Sequence, residues 1–477
     1  MKRSIGKIFV SLILAWSFIL TCIACSTPAS SGSSQGPDTD SSSTDAPEGE
    51  FKEAALANIK NVILMIGDGM GPNHVKAGEI YKGSQLAIHS MPFSTYSLTR
   101  SASSEVTDSA AGATALATGV RTNNGYVGVD AEKNELTTIM DIALQEGKST
   151  GIVTTDIMSG GTPMAFAAHC ESRKSTAELL SSASKSGVNL FVSANSDDTS
   201  TDETLQFVSN GYKKVENVAE ISNQTSNYVI GSYDIIASAT SQSAELNSVA
   251  FDRVVSESIE YLSKDTDGFV LMAEGARIDK QAEKNNFQGM IEEMIAFDNA
   301  VQAALDFAKE RNDTIVIVTA DHETGGLLLA DDITKENMDT KHSWSTTVHT
   351  ATNVYCNVYA ENVDFLRYSS EGTATEIRNT DIFTMMKTFV LGRQDASITM
   401  KQNTSLGGTV ELDQTECFYN QTVKITVKTN DDYRLSSFKI NEKEYAEQFD
   451  SDGTLEYVID SSKVVFKVLF VIDTKNE

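Results

Sequence analysis

The fold of this chain is decided by an apolar run and the glycine-rich turn that follows it, Asn61-Val62-Ile63-Leu64-Met65-Ile66 and Gly67-Asp68-Gly69-Met70-Gly71. A continuous apolar run of this length is typical of a strand that is buried on both faces of a parallel sheet. Runs of the same kind recur at 150–154, 268–272 and 314–318. We therefore expect the first run to be a central strand of such a sheet.

Helical patterns separate these strands. Leu136, Ile139, Met140 and Ala143 recur at helical spacing, and residues 290–309 carry the apolar stripe of a long amphipathic helix. An alternation of buried strands and amphipathic helices is the pattern of an α/β fold. The sequence therefore predicts a central, mostly parallel sheet that is flanked by helices, in a domain over residues 56–394.

The last part of the chain, residues 396–477, changes character. Strand-like runs at 409–412, 423–428 and 464–471 lie between turn residues, and no helical pattern is evident. This pattern predicts a small all-β domain that is antiparallel and β-sandwich-like. Its role stays open between a spacer and a module that binds the cell wall.

The N-terminus reads as a targeting signal. Residues 1–24 combine a basic start with a short apolar run, which is typical of a lipoprotein signal peptide. Cys25 would then carry the lipid, so we expect export across a bacterial cytoplasmic membrane and anchoring at the cell surface or in the periplasm. The alternative is ordinary secretion with Cys25 unmodified. Residues 25–55 are rich in Ser, Pro and Asp and predict a flexible linker.

The chain is strongly acidic, with 66 acidic against 38 basic side chains and a formal net charge of −28. Such a field repels nucleic-acid backbones, so nucleic acid is not an expected partner. It also repels an anionic substrate unless bound cations reverse the sign locally. Cys170, Cys356 and Cys417 are widely separated and lack zinc-finger spacing, which predicts buried free thiols.

Acidic side chains follow three of the predicted strands. Asp68 follows the first, Glu274 and Asp279 follow the run at 268–272, and Asp321 and His322 follow the run at 314–318. Ligands of open α/β sheets bind beyond the carboxyl ends of the strands, so these groups meet at one edge. Clustered carboxylates repel one another unless cations lie among them. For any single aspartate a helix cap or turn is the simpler explanation, but the set predicts a metal cluster.

A hydroxyl precedes an alanine-rich stretch in Thr107-Asp108-Ser109-Ala110-Ala111. The stretch should be helical, and free N–H groups at a helix N-terminus favour an anion such as phosphate. A plain helix-capping serine is the alternative interpretation of Ser109. A cation beside the hydroxyl would lower its pKa and make Ser109 a nucleophile.

Taken together, these motifs resemble the alkaline phosphatase family. The resemblance covers residues 57–393 and leaves the linker and the C-terminal domain outside. Its motifs are Gly67-Asp68-Gly69-Met70-Gly71, Thr107-Asp108-Ser109-Ala110-Ala111, Thr162-Pro163, Glu274-Gly275-Ala276, Ile278-Asp279-Lys280, Thr319-Ala320-Asp321-His322 and Val348-His349-Thr350.

The resemblance implies a site for two Zn²⁺ ions and one Mg²⁺ ion. The implied ligands are Asp279, His349 and Glu283 for the first zinc, Asp68, Asp321 and His322 for the second zinc, and Asp68, Thr162 and Glu274 for magnesium. It also implies that Ser109 is the nucleophile, that Arg173 grips two phosphate oxygens, that Asp108 orients Arg173, and that Lys280 lies near the phosphate through water. A planar guanidinium suits bidentate phosphate binding.

The chain departs from the family in two places. Glu283 stands where the first zinc usually takes a histidine, and one helical turn after Asp279 it can still reach the same metal. The alternatives are that Glu283 is a solvated helix residue, or that His342 substitutes for it. A site of Asp, Glu and His is harder, so it would bind zinc less tightly or prefer another divalent ion. Gly160 stands where the family often has Asp or His, which puts magnesium affinity in question.

The function that the resemblance implies is hydrolysis of small-molecule phosphate monoesters through a phosphoserine on Ser109. Two alternatives stay open. One is a related phosphodiesterase of the same superfamily, against which Ser109, Thr162 and Glu274 speak. The other is a catalytically weakened surface protein that binds metal or phosphate, because Glu283 has weakened the first site. Members of the family are commonly dimers, so the resemblance makes a homodimer possible, although the short stretch between His322 and His349 leaves little room for an extra interface domain.

Overall fold

The strands of the predicted α/β domain lie between residues 61 and 378. The computed structural model describes residues 58–195, 202–236, 248–360, 376–393, 395–414, 417–418, 421–459 and 463–474. The strands are β1 (Asn61–Gly67), β2 (Phe93–Leu98), β3 (Ser149–Thr154), β4 (Leu190–Ala194), β5 (Lys213–Lys214), β6 (Val229–Ile236), β7 (Ser248–Ala250), β8 (Phe269–Gly275), β9 (Thr314–Thr319), β10 (Glu323–Thr324), β11 (Leu327–Leu329), β12 (His342–Trp344), β13 (His349–Thr350), β14 (Val354–Tyr359) and β15 (Glu376–Arg378).

Helices connect these strands and cover the sheet. They are α1 (Pro72–Lys82), α2 (Ser109–Thr118), α3 (Ile139–Gln145), α4 (Gly161–Met164), α5 (Thr176–Ala183), α6 (Thr204–Ser209), α7 (Phe251–Leu262), α8 (Arg277–Ala282), α9 (Phe287–Arg311) and α10 (Asn379–Leu391), with short 3₁₀ turns at Ala87–Ser90, Val218–Glu220 and Ala446–Gln448. The long helix predicted over 290–309 is α9. The helix predicted from Leu136 begins later, because Thr138 caps it through the backbone N–H of Asp141.

The large sheet has the strand order β15-β2-β14-β9-β1-β8-β3-β4-β6-β5, and β7 pairs with β6. The predicted central strand β1 pairs in parallel with β8 and β9. Only β14 runs antiparallel to its neighbours among the strands of this sheet that the structure describes. The predicted fold class, a mostly parallel central sheet in an α/β fold, is therefore confirmed.

Both faces of the sheet are covered, which explains the uninterrupted apolar runs. Side chains of β1 alternate between two hydrophobic clusters: Val62, Leu64 and Ile66 belong to one, and Ile63 and Met65 belong to the other. A strand whose two faces both contact helices has no polar face, so no period-two pattern appears in its sequence. The free energy of apolar burial on both faces fixes the strand at the centre.

The register of the central strands brings their ends to one edge. Ile66 of β1 lies opposite Glu274 of β8 and opposite Thr319 of β9. The residues that follow β1 and β9, Asp68 and Asp321, therefore emerge at the same level as Glu274. Helix α2 closes on this edge, because a Cβ at Gly112 would lie 3.1 Å from the carbonyl oxygen of Asp321.

The C-terminal region forms two further sheets. Their strands are β16 (Asp395–Gln402), β17 (Gly408–Leu412), β18 (Cys417–Phe418), β19 (Thr422–Thr429), β20 (Tyr433–Ile440), β21 (Lys443–Glu444), β22 (Thr454–Val458) and β23 (Lys463–Ile472), in the orders β18-β16-β23-β20-β21 and β17-β19-β22. Both sheets contribute to one core, which includes Ile425, Phe438 and Phe466. Two sheets around one core are the arrangement of a sandwich.

The C-terminal prediction needs two corrections. The sheets are not purely antiparallel, because β16 pairs in parallel with β23. This parallel pair of the first and last strands of the region lies in the middle of the larger sheet, and sequence alternation carries no information about strand direction. A short 3₁₀ turn at Ala446–Gln448 also lies where no helix was predicted.

The predicted signal peptide at 1–24, the lipid site at Cys25 and the whole of the linker at 25–55 lie outside the described residues. The described part of the chain contains no helix that is long and apolar enough to cross a bilayer. Cys170, Cys356 and Cys417 are free and buried, as predicted.

Candidate active site

The turn after β1 places Asp68 at the site. Gly69 has φ +73°, and a Cβ at this position would lie 2.8 Å from Cα of Asp279. Only glycine combines this backbone conformation with so close an approach. The backbone N–H of Gly69 donates to Oδ1 of Asp321 over 3.2 Å. The turn therefore ties Asp68 to the segments that carry Asp279 and Asp321.

Asp68, Asp321 and His322 form one group of potential metal ligands, which we call the second cation position. All three are buried. Nε2 of His322 lies 3.1 Å from Oδ2 of Asp321 and 3.5 Å from Oδ1 of Asp68. Oγ of Ser109 lies 3.2 Å from the same Nε2 atom. The nucleophile predicted from the sequence thus faces this group.

Asp279, His322 and His349 form a neighbouring group, which we call the first cation position. Nε2 of His349 lies 3.6 Å from Oδ1 of Asp279. The rings of His322 and His349 stack with centroids 3.5 Å apart. Because His322 belongs to both groups, the two cation positions lie next to each other.

Hydrogen bonds fix which nitrogen of each imidazole carries the proton. Nδ1 of His349 contacts the carbonyl oxygen of Thr107 at 3.0 Å, and a carbonyl can only accept, so this nitrogen is protonated. Thr324 donates its hydroxyl proton to Oδ1 of Asp279 and therefore accepts from Nδ1 of His322. Both Nε2 atoms then present lone pairs towards carboxylates, which is the arrangement of metal-ligating histidines.

A divalent cation fits this set of donors. Oδ1 of Asp68 and Oδ2 of Asp321 are buried and accept no hydrogen bond from any described residue. Burial raises the pKa of Asp68 well above its usual range, and burial raises that of Asp321 to about 6, with the Asp279 carboxylate adding to the shift. Burial and the neighbouring His349 hold the pKa of His322 well below its usual value, so its ring is neutral. Oxygen and neutral imidazole ligands that face one another without protons between them suit a divalent cation.

Glu274 and Thr162, the predicted magnesium ligands, are both buried and lie outside these two groups. The hydroxyl of Thr162 has no hydrogen-bond partner in the described part of the chain. Glu274 accepts a 2.5 Å hydrogen bond from Thr154, and burial, together with the Asp156 carboxylate, raises its pKa to about 8. A buried hydroxyl oxygen without a partner and a buried carboxyl are compatible with a hard cation such as Mg²⁺.

Arg173 lies beside Asp108, as the resemblance implied. Its Nη1 atom lies 3.1 Å from Oδ2 of Asp108, and its guanidinium covers the backbone of Gly161, where a Cβ would lie 3.0 Å from Cζ. Asp108 caps α2 by accepting from the backbone N–H of Ala111. The cap is therefore Asp108, and the alternative that Ser109 serves only as a helix cap does not hold.

Glu283, His342 and Gly160 concern the two positions at which the sequence departs from the family pattern. Glu283 is exposed, and partial burial and the Asp279 carboxylate raise its pKa, so it lies within electrostatic reach of the first cation position. His342 stacks on Phe287 with ring centroids 3.7 Å apart, and its Nδ1 contacts the carbonyl oxygen of Met338. His342 therefore does not join the described ligand groups. At Gly160, a Cβ would lie 3.0 Å from Oδ2 of Asp156.

Sequence reasoning missed several residues of this site. Asp156 forms an ion pair with Lys280, and Thr324 and Thr107 hold the imidazoles. Asp156 follows β3 just as Asp68 follows β1, so the rule of acidic residues at strand ends could have found it. Nothing in the spacing of Thr324 or of the Thr107 carbonyl distinguishes them, because their roles depend on tertiary contacts.

Comparisons with known proteins point to one family. The family model described as alkaline phosphatase matches residues 59–195 and 197–404. Alkaline phosphatase 3 of Bacillus subtilis (strain 168) is 31% identical over 306 residues, which cover 60% of this chain and 66% of that protein. Alkaline phosphatase of Escherichia coli (strain K12) is 31% identical over 338 residues, which cover 57% of this chain and 72% of that protein. The chain thus spans just under two thirds of the length of the Bacillus relative.

Solved structures of similar proteins share the fold. Alkaline phosphatase from the Antarctic bacterium TAB5 has a TM-score of 0.60 at 27% identity, covering 70% of this chain and 97% of that one. A cold-active alkaline phosphatase from Shewanella sp. has a TM-score of 0.61 at 25% identity, covering 69% of this chain and 99% of that one. A mutant of the TAB5 protein is described with magnesium bound in its M3 site.

The metal-free protein should lose stability as pH rises. A carboxyl whose pKa is higher in the folded than in the unfolded state stabilises the fold fully below the unfolded value, and this contribution is lost as pH rises through the folded value. For Glu274 that window runs from 4.5 to about 8. We expect the melting temperature of metal-stripped protein to fall across this window, and less so in Glu274→Gln. If the melting temperature falls equally with pH in the unaltered protein and in Glu274→Gln, the raised pKa of Glu274 is contradicted.

Proposed function

This chain belongs to the alkaline phosphatase family, and we propose that it is a metal-dependent phosphomonoesterase that acts through Ser109. The observation that carries the proposal is the position of Ser109 Oγ, 3.2 Å from the unprotonated Nε2 of His322 and beside the second cation position. Membership of the family supports a metal-using hydrolase. The monoesterase reaction and the serine intermediate are our proposals.

We assign two Zn²⁺ ions and one Mg²⁺ ion to the site. Asp279, His349 and Glu283 would hold the first zinc, Asp68, Asp321 and His322 the second, and Asp68, Thr162 and Glu274 the magnesium. When bound, such cations supply positive charge that lowers the pKa of a serine hydroxyl and neutralises a phosphate dianion. The assignment accounts for how a chain with a net charge of −28 can bind an anion.

The proposed reaction has two displacements at phosphorus. Oγ of Ser109 attacks the phosphorus, the bond to the ester oxygen breaks, and the alcohol leaves with a proton. The oxygen of a water molecule then attacks the phosphoserine, the bond from Oγ to phosphorus breaks, Ser109 regains a proton and inorganic phosphate leaves. Transfer through an intermediate on the enzyme divides one difficult hydrolysis into two easier steps.

Side chains of the protein orient the phosphate. Arg173, held by Asp108, can donate two parallel hydrogen bonds to equatorial phosphate oxygens, where charge accumulates in the transition state. Lys280, held by Asp156, lies two-fifths exposed and can contact the phosphate through water. The N-terminus of α2 adds backbone N–H groups and a favourable dipole next to Ser109.

Two alternative functions remain open to test. A phosphodiesterase would hydrolyse bis-p-nitrophenyl phosphate faster than the monoester. A protein that only binds metal or phosphate would show no turnover with any divalent ion, and the exposed position of Glu283 is the observation that favours it.

The remaining predictions concern segments and assemblies that the described residues do not test. Lipidation of Cys25 and export to the cell surface or periplasm stay proposals, which mass spectrometry of the N-terminal peptide would test. The linker at 25–55, the domain boundaries around 394–396, a homodimer and the role of the C-terminal sheets as a spacer also stay proposals.

Replacement of Ser109 by alanine should abolish turnover. In p-nitrophenyl phosphate assays with Zn²⁺ and Mg²⁺, we expect a loss of about 10³-fold or more, because the attacking oxygen is gone. Acid-quenched protein should carry phosphoserine in the unaltered chain and none in Ser109→Ala. Ser258→Ala, which removes a buried hydroxyl from α7, is the matched control and should keep full activity. Retained turnover in Ser109→Ala would refute the mechanism.

Replacement of Glu283 by histidine should strengthen zinc binding. A neutral imidazole is a softer ligand than a carboxylate, so we expect about tenfold tighter Zn²⁺ binding at the first cation position. Competition against a chromogenic chelator measures this affinity. Glu292→His changes an exposed glutamate on α9 and serves as the control. Zinc affinity that is the same in Glu283→His and in the control would show that Glu283 is a solvated helix residue.

A further inference from the structure

Glu323 lies between the segments that carry the cation ligands. It follows His322 directly, and it is only 3% exposed. In the two-stranded pair of β10 and β13, Glu323 lies opposite Thr350, and Thr324 lies opposite His349. The register of this pair therefore sets the distance between His322 and His349.

Both carboxylate oxygens of Glu323 accept hydrogen bonds. Oε2 accepts from the hydroxyl of Thr350 and from the backbone N–H of Gly326 at 3.3 Å, and Oε1 accepts from the backbone N–H of Leu327 at 3.3 Å. Hydrogen bonds to an ionised acceptor are stronger than neutral ones. The side chain thus joins the turn after β10 to the strand that carries His349.

Glu323 also contacts the turn that carries Asp68. A Cβ at Gly71 would overlap Cγ of Glu323, so the glutamate packs directly on the Gly71 backbone. His74 is not its ionic partner. Nδ1 of His74 accepts from the backbone N–H of Gly71, and burial lowers the pKa of His74 to about 4, so the ring is neutral. The 3.9 Å separation between His74 and Glu323 is therefore a packing contact.

We infer that Glu323 is a positioning residue for the first cation position, because it fixes His349 through Thr350 and packs on the turn after Asp68. This inference rests on the cation positions of the proposed function. Residues that orient metal ligands commonly change metal affinity by about 10–100-fold when they are replaced. Glu323 touches no reacting atom and acts only through the segments that it joins.

The test measures zinc binding by metal-stripped full-length protein, with chelator competition as the readout and without any substrate. In Thr350→Val, which keeps the side-chain shape and removes the hydroxyl, we expect one Zn²⁺ to bind about tenfold more weakly. The other Zn²⁺ should bind within about threefold of the unaltered protein. Glu323→Gln should weaken the binding of the same ion at least as much, because its amide NH₂ group would face hydrogen-bond donors and cannot accept from them. Glu257→Gln, an equally buried glutamate on α7, is the matched control and should change neither affinity.

Melting of the metal-free proteins separates positioning from general stability. We expect the melting temperature of Thr350→Val to stay within about 2 °C of the unaltered protein. Unchanged zinc affinities in both variants would overturn the inference, whether or not the melting temperature of the metal-free protein falls. If Glu323→Gln does not fold, Thr350→Val alone decides. Absent phosphatase activity in an unaltered protein that binds zinc would refute the proposed function and leave this inference intact.

Discussion

Repulsion among buried carboxylates is the constraint on which the rest of this structure depends. Asp68, Glu274, Asp279 and Asp321 are all buried at one edge of the sheet, and each has a pKa above its usual value. Folding without cations forces such groups to take up protons or to repel one another. The same apolar burial that stabilises β1 therefore creates an electrostatic repulsion that bound cations would relieve.

The fold and the chemistry are connected through strand register. Because β8 and β9 flank β1 in parallel, the ends of these three neighbouring strands place their acidic side chains at one level, and α2 presents Ser109 to them. Glycines at 69, 71 and 161 let neighbouring segments approach more closely than any side chain would allow. Several close contacts at the site, including those of Arg173 with Gly161 and of Glu323 with Gly71, are therefore possible only because glycine has no Cβ.

The sequence predicted the elements of this architecture better than their contacts. Uninterrupted apolar runs indicated β1, β8 and β9, because burial on both faces leaves a direct record in composition. Acidic residues directly after these strands indicated the site, because the carboxyl ends of parallel strands meet at one edge of the sheet. The position of Asp156 just after β3 could have marked it by the same rule, whereas the roles of Thr324 and Glu323 depend on contacts with Asp279 and Thr350 that the sequence does not reveal. The parallel pair of β16 and β23 escaped prediction because the alternation of side chains is the same in both strand directions.

The sharing of His322 between the two cation positions has a consequence for how the protein is loaded. Its Nε2 faces Asp68 and Asp321, its Nδ1 is fixed by Thr324, and its ring lies against His349. Because Nδ1 carries the proton, this imidazole has one lone pair, on Nε2, and can be the ligand of only one ion. The neighbouring position is then left with Asp279 and His349 of its group, so the two positions differ in their donors and should differ in how well they retain a divalent cation when such ions are scarce.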